Sequence, residues 1–230
     1  MCLILFAVNS HPRYPLVIAA NRDEFHDRPS APAGFWPDRQ RVWGGRDLRS
    51  GGSWLAVSGA GRLAMVTNVR EGVRETRGRS RGELVRDFVL SEISVRHWLQ
   101  QYRPRAGDYP GFNLVAGSFR QLYYWSNRQV LLPERLPDGI HGLSNGRLDA
   151  PWPKVQRGCG GLQALLQAAR EPEAVTGEVF RLLADRTPVA DDDLPATGVP
   201  LEWERLLAPI FVCSPRYGTR CSTVVLLERN

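Results

Sequence analysis

Long apolar runs are missing from this sequence: no stretch approaches the roughly 18 consecutive apolar residues that a membrane helix requires, so no transmembrane segment is expected. The apolar N-terminal stretch from Cys2 to Val8 is short and meets Asn9, Ser10, His11 and Pro12 directly. It reads as a strand rather than a signal peptide, and a cytoplasmic location is the expectation. Cysteine is also scarce. Cys2, Cys159, Cys213 and Cys221 are too few and too irregularly spaced for a disulfide framework or a zinc motif, which suits a reducing compartment. Lysine is all but absent: of 30 lysines and arginines only Lys154 is a lysine. The net charge of +6 and the pI near 9.5 are therefore carried by arginine. That pattern suggests codon bias rather than selection for a basic face, and nucleic acid is not expected as a partner. Only residues 70–86, with Arg74, Arg77, Arg79 and Arg81, are dense in charge, as a solvated loop leading into a helix or as an anion-binding patch. Linkers and internal repeats are absent too. With 43% hydrophobic and 23% charged residues, the 230-residue chain reads as one domain over 1–230 with an ordinary core.

What is present is an alternation of short strands and helices. Leu3 to Val8 and Leu16 to Ala20 read as a hairpin, and Phe25 to Ser53, rich in Pro, Gly, Asp and Arg, reads as a long loop. Trp54 to Val57 and Leu63 to Val69 form a second hairpin around Gly59-Ala60-Gly61. Ser80 and Glu83 stand as a capping box before Leu84, Val85, Phe88 and Val89, so a helix is expected from Ser80, with another over Val95 to Tyr102. Phe112 to Ala116, Leu122 to Trp125 and Gly139 to Leu143 read as strands. Leu162 to Ala169 and Ala174 to Ala184 read as helices, and Phe211 to Cys213 and Thr219 to Leu227 as closing strands. Antiparallel hairpins with helices arriving in pairs predict an α+β fold, a four-layer αββα sandwich.

The chemistry gathers near the N-terminus. Cys2 is either a small buried hydrophobe or, with Met1 removed, a nucleophile whose own α-amine, of ordinary pKa about 7.7 to 8.0, takes the thiol proton. Asn21-Arg22-Asp23-Glu24 ends the strand paired with that of Cys2, and its charges either hold one another or form a site. A carboxylate there could hold an N-terminal ammonium while Arg22 holds a ligand anion. Asn68 and Asn145 each end an apolar strand, as turn residues or as amides aimed at an oxyanion.

A series of motifs in order along the chain then becomes recognisable: Met-Cys-Leu-Ile at 1–4, Asn-Arg-Asp-Glu at 21–24, Gly45-Arg46-Asp47-Leu48 with Gly51-Gly52-Ser53-Trp54-Leu55, Thr67-Asn68-Val69-Arg70, and Ser80-Arg81-Gly82-Glu83-Leu84. Gly111-Phe112-Asn113-Leu114, Gly142-Leu143-Ser144-Asn145, Trp152-Pro153-Lys154-Val155 and Tyr217-Gly218-Thr219-Arg220 continue it. Together they resemble the NRDE family, also called the transport and Golgi organisation family. The resemblance implies a fold of the N-terminal nucleophile (Ntn) hydrolase type and, more remotely, similarity to choloylglycine hydrolases and penicillin V acylases. It implies Cys2 as nucleophile, assisted by Arg22 and Asp23, or Glu24 in the aspartate's place because the spacing differs from that group. Asn68 and Asn145 match its asparagines, and Arg220 stands as the counterpart of its later arginine.

The resemblance further implies cytoplasmic or mitochondrial handling of a small molecule. Haem, as bound cargo rather than a required cofactor, ranks ahead of acyl-coenzyme A. Haem would want an axial ligand, for which His11, His26, His97 and His141 are available, and cations for its propionates. Acyl-coenzyme A would want arginines, and the 70–86 stretch could serve it. Asn21, Arg22, Glu24, Arg70 and Arg220 are the expected ligand-binding residues, and no metal ligands are expected. Three readings stand: a ligand carrier that hands its cargo to a transient protein recipient, a cysteine amidohydrolase or acyltransferase, and a purely structural partner.

Overall fold

Strand β1 (Cys2–Val8) and strand β2 (Leu16–Phe25) pair antiparallel from the first described residue, with Leu16 opposite Val8. The computed structural model describes residues 2–72, 78–168 and 171–229. Asn9 takes the left-handed conformation at φ 49°, which asparagine tolerates better than most residues, to open the turn. The His11 ring closes it: Nδ1 accepts from the backbone N–H of Arg13 at 3.1 Å and of Tyr14 at 3.2 Å.

The segment expected as a long loop holds two strands, β3 (Ser30–Trp36) and β4 (Arg39–Asp47). Its loop-like composition has physical reasons. Strand β3 is the edge of its sheet, where Pro32 loses little by lacking an N–H. The β4 glycines sit where nothing larger fits: a Cβ on Gly44 would lie 2.6 Å from the Leu55 carbonyl oxygen, and one on Gly45 would lie 2.2 Å from the Trp54 ring.

Strands β5 (Leu55–Ser58) and β6 (Arg62–Asn68) form the second hairpin, with Gly61 at φ 73° in its turn. Helix α1 (Gly82–Leu90) follows, and its capping box is half formed: Glu83 Oε1 accepts from the Ser80 N–H at 3.3 Å. Helix α2 (Val95–Tyr102) is capped by Ser94, whose Oγ accepts from the His97 N–H at 3.3 Å. Strands β7 (Phe112–Ser118), β8 (Gln121–Ser126), β9 (Val130–Arg135) and β10 (Gly139–Leu143) come next, β9 being unforeseen. Helices α3 (Pro153–Ala168), α4 (Pro172–Leu183) and α5 (Leu201–Leu207) precede the final strand β11 (Tyr217–Leu227). Residues 211–213, expected as a strand, are irregular. Their amides are satisfied elsewhere, Phe211 N–H donating to the Asp185 carbonyl and Val212 N–H to Thr219 Oγ1.

The chain forms two compact units. The first takes residues 1–26, 70–73 and 137–230 and contains a four-stranded sheet in the order β10-β1-β2-β11. Period-two alternation puts Leu3, Leu5, Ala7, Val17 and Ala19 against Val155, Leu162 and Leu166 of α3 and Val175, Val179 and Leu183 of α4. Each of these valine and leucine side chains contributes about 1.5–3 kcal/mol on burial. The second unit takes residues 27–69 and 74–136 and contains a seven-stranded sheet in the order β3-β4-β5-β6-β7-β8-β9. Leu84, Val85 and Phe88 of α1 and Trp98 and Leu99 of α2 pack with Val42, Ala56, Ala64, Val66, Leu114, Ala116 and Trp125 of its sheet. No helix among the described residues is long and apolar enough to cross a membrane.

Candidate functional site

The end of β2 carries Asn21-Arg22-Asp23-Glu24 as extended backbone, so successive side chains turn to opposite faces of the first unit's sheet. Asn21 faces the helices. Its Nδ2 donates to the carbonyls of Leu183 at 2.8 Å and Ile210 at 2.9 Å, and its Oδ1 accepts from Ser222 Oγ at 2.6 Å. Asn21 is thus a clamp between α4, the segment before β11, and β11 itself. Asp23 lies on the same face and is fully buried. Thr219 donates its hydroxyl to Asp23 Oδ1 at 2.6 Å, and Tyr217 donates its own to the Asp23 carbonyl at 3.1 Å. Burial pushes the Asp23 carboxyl up from the usual carboxylate range, opposed by Lys154, by the Thr219 hydrogen bond and by Arg70.

Arg22 and Glu24 take the other face, and Arg22 Nη2 lies 3.8 Å from Glu24 Oε2 with the arginine side chain only 5% exposed. In the strand register Arg22 is the partner of Cys2 on β1 and of Cys221 on β11. On the other side of β1, Ile4 pairs with Leu143 of β10. Strand β10 ends at Leu143, and Ser144 and Asn145 follow it directly in the loop. Asn145 is fully buried, with its carbonyl accepting from the Arg70 N–H at 2.7 Å and its Oδ1 lying 3.4 Å from Ser144 Oγ. The first unit therefore gathers Cys2, Asn21, Arg22, Asp23, Glu24, Arg70 and Asn145 around one end of its sheet.

Arg70 is held inside that unit. Its guanidinium pairs with buried Glu204 of α5 at 2.5 Å and lies 4.7 Å from the centre of the Trp152 ring. Glu204 uses its other oxygen for the N–H and hydroxyl of Thr197. Arg220 Nη1 donates to the carbonyls of Phe25 at 2.8 Å and His26 at 3.1 Å, which fixes the end of β2. Asn68 ends β6 in the second unit, where its register partner is Phe112. Met1, Arg74 and Arg77, and Ala169 at the end of the expected helix, lie outside the described residues. The rest of the arginine-dense stretch is engaged locally: Arg79 with Glu83, Arg81 with the Gly111 carbonyl, and Arg86 with Asp87.

The model of the family described as Transport and Golgi organisation 2 matches this sequence over residues 1–230. The chain belongs to that family. It is 33% identical over 250 residues to a Transport and Golgi organization 2 homolog of Mus musculus, covering 100% of this chain and 90% of the relative. It is also 33% identical over 252 residues to the Homo sapiens homolog, again covering 100% and 90%. With the Drosophila melanogaster protein it shares 28% over 250 residues, covering 99% and 88%. Among solved structures it resembles a Caenorhabditis elegans N-acylethanolamine-hydrolyzing acid amidase ortholog with TM-score 0.54 and 10% identity, over 98% of this chain and 92% of that one. The likeness shows the fold: this Transport and Golgi organisation 2 member has an α+β fold of the N-terminal nucleophile hydrolase type.

In this family member the histidines are largely committed. His141 offers both ring nitrogens to acceptors, Nδ1 to Asp149 Oδ2 at 2.8 Å and Nε2 to the Pro137 carbonyl at 3.2 Å. His26 Nε2 lies 3.1 Å from the Ser214 carbonyl, His11 Nδ1 closes its turn, and His97 sits exposed at the start of α2. Among the described residues no His, Cys, Asp and Glu cluster could hold a metal ion. Thr219 and Tyr217 hold the end of β2, Glu204 holds Arg70 and Lys154 holds the Leu207 carbonyl, yet sequence reasoning gave them no role. Lys154 and Thr219 stand in motifs quoted above, whereas Glu204 lies in a short helix with no distinguishing pattern. Chemically, the site offers a cysteine position, an almost fully buried guanidinium beside it and a neighbouring asparagine, which suits an anionic or carbonyl-bearing ligand.

Proposed function

We propose that this protein binds and carries, in the cytoplasm, a small molecule that joins an acidic group to an apolar body. The site is the Cys2 end of the first unit. The observation that carries this reading is Arg22: a guanidinium only 5% exposed, set in register with Cys2. A charge kept from water at such a position suits an anionic ligand group. Haem and acyl-coenzyme A both meet that description: haem would set its propionates against Arg22, and acyl-coenzyme A would set its thioester between the cysteine and Arg22.

The second reading is a cysteine amidohydrolase or acyltransferase. It is favoured by the Ntn fold and by the likeness to an N-acylethanolamine-hydrolyzing acid amidase ortholog. In that reading Cys2, freed of Met1, attacks an amide or thioester carbonyl and its own amine takes the thiol proton. Palmitoyl-coenzyme A and haem titrated into wild type, Arg22→Ala and Cys2→Ala, with released coenzyme A followed by mass spectrometry, test both readings. A carrier binds palmitoyl-coenzyme A intact, loses affinity in Arg22→Ala and keeps most of it in Cys2→Ala. Product release that vanishes in Cys2→Ala instead establishes the hydrolase. Absence of binding below the micromolar range, with no effect of Arg22→Ala, rejects the carrier.

A further inference from the structure

Strand β11 ends the first unit's sheet, and β2 is its one neighbour in the ladder among the described residues. The start of β11 is occupied on its other side: the Thr219 N–H donates to the Val212 carbonyl at 2.8 Å, and the register to β2 shifts between Thr219 and Cys221. From Cys221 to Leu227 the register to β2 runs without interruption. This run, Cys-Ser-Thr-Val-Val-Leu-Leu, contains no charge, no proline and no glycine. None of the side chains that normally obstruct an incoming strand stands on it.

Helix α4 marks the same margin of the unit. It packs on β2 and β11, whereas α3 packs on β1 and β10. Leu182 faces α3, where a Cβ on Gly161 would lie 2.6 Å from it. Phe180, two residues earlier, stands about 200° round the helix, on the flank away from α3 and beside the outer edge of β11. This ring is 43% exposed. Its level along the strand is set from both ends of α4. Asn21 accepts from Ser222 and donates to the Leu183 carbonyl, while Arg13 meets both Glu228 and Glu171, so α4 runs against β11. Three helical residues cover about 4.5 Å and one strand residue about 3.3 Å, so Phe180 stands level with Thr223 and Val224. Val224 itself packs on the helix side of the sheet.

We propose that β11 pairs antiparallel with β11 of a second copy of this chain about a two-fold axis at Val224, joining the two four-stranded sheets into one. That axis sets Val224 against itself and Ser222 against Leu226, and it brings the two Phe180 rings to one level on facing helix flanks. At either end of the pairing, Arg220 of one copy comes beside Glu228 of the other. Arg220 keeps the Phe25 and His26 carbonyls through Nη1, and Glu228 keeps Arg13 through Oε1. Opposite charges at the rim fix the register, and no like charges meet. A two-fold contact of this kind needs only one surface, complementary to itself.

Sedimentation velocity over a concentration series tests the pairing. Wild type is expected at twice the chain's 25.8 kDa. Phe180→Glu, which sets two carboxylates against each other at a half-exposed position, is expected to sediment as a monomer with an unchanged circular dichroism spectrum. Mild oxidation of Val224→Cys is expected to join the two copies, with peptide mass locating the disulfide between the two positions 224. Wild type that stays monomeric up to millimolar concentration, its edge open or reserved for a strand of another protein, overturns the proposal. So does a dimer that Phe180→Glu leaves intact and in which the two positions 224 do not join.

Discussion

His141 Nδ1 and Asp149 Oδ2 lie 2.8 Å apart, and this contact fastens the loop that carries Ser144 and Asn145 back onto β10. Asp149 holds the loop with three further features: its Oδ1 accepts from the Gly142 N–H at 2.8 Å, its own N–H donates to the Gly142 carbonyl at 2.8 Å, and its backbone turns at φ 54°. Asp149 Oδ2 and the Pro137 carbonyl are acceptors, so the ring satisfies both only as an imidazolium.

A pH dependence follows with a definite sign. The Asp149 hydrogen bond raises the His141 pKa above its ordinary 6.5, against the opposing effect of burial. Because the folded value is the higher, the pair contributes fully below the unfolded pKa and its contribution is lost as pH rises through the folded one. Melting temperatures of wild type and Asp149→Asn, measured between about pH 5.5 and 8.5, should therefore differ most at the acidic end and converge toward the alkaline end. A gap of constant size across this range would show that the ring does not titrate in the folded protein.

Arg70 and Glu204 make an ion pair with side-chain exposures of 2% and 5%. Removing one partner strands the other charge away from water. Arg70→Met should cost about 3–5 kcal/mol in urea unfolding, and Arg70→Met/Glu204→Gln should recover a large part of it, since two neutral groups need no counter-charge. A loss below 1 kcal/mol in the single variant would mean that Glu204 reaches water.

Gly52 and Gly82 meet backbone to backbone, with the Ser53 N–H donating to the Gly82 carbonyl at 3.1 Å. A Cβ on Gly52 would lie 2.4 Å from the Gly82 carbonyl carbon, so Gly52→Ala must push α1 away and should cost about 1–3 kcal/mol. Gly160 in α3 has nothing within 4 Å of the same position, and Gly160→Ala should stabilise by about 0.5–1 kcal/mol. Denaturant midpoints that move in opposite directions would bear out both expectations.

Arg22→Ala should weaken palmitoyl-coenzyme A binding by about 1–3 kcal/mol, the worth of a charged hydrogen bond in a nearly dry site. Arg220→Ala should act instead on stability, because its Nη1 bonds backbone carbonyls at the end of β2. Calorimetric titration beside thermal unfolding separates the two effects.

The sequence makes an element legible where its own pattern decides the structure. Helix α2 spans the expected Val95 to Tyr102, and the β1-β2 hairpin falls where its apolar runs put it. Helix α3 begins at Pro153, earlier than the expected Leu162, because Gly158 and Gly161 conceal it. Those glycines are there for contact: a Cβ on Gly158 would lie 2.7 Å from Leu5 and one on Gly161 2.6 Å from Leu182. The Asn-Arg-Asp-Glu motif could be seen as a charged strand end, and strand alternation alone would divide it between two faces. Its partners could not be seen, since Glu204 lies 134 residues from Arg70 and Thr219 lies 196 from Asp23.

The seven-stranded sheet has neighbours on one side only for its first and last strands, β3 and β9, among the described residues. Each carries a proline, Pro32 in β3 and Pro133 in β9. An incoming strand from another molecule would find a missing N–H and a ring in place of a ladder bond at both margins, so polymerisation by strand addition is obstructed at either end. The price is an irregular, proline-bearing composition, which in β3 makes a strand read as a loop, and replacing either proline by threonine would trade that protection for a surface open to fibrous self-association.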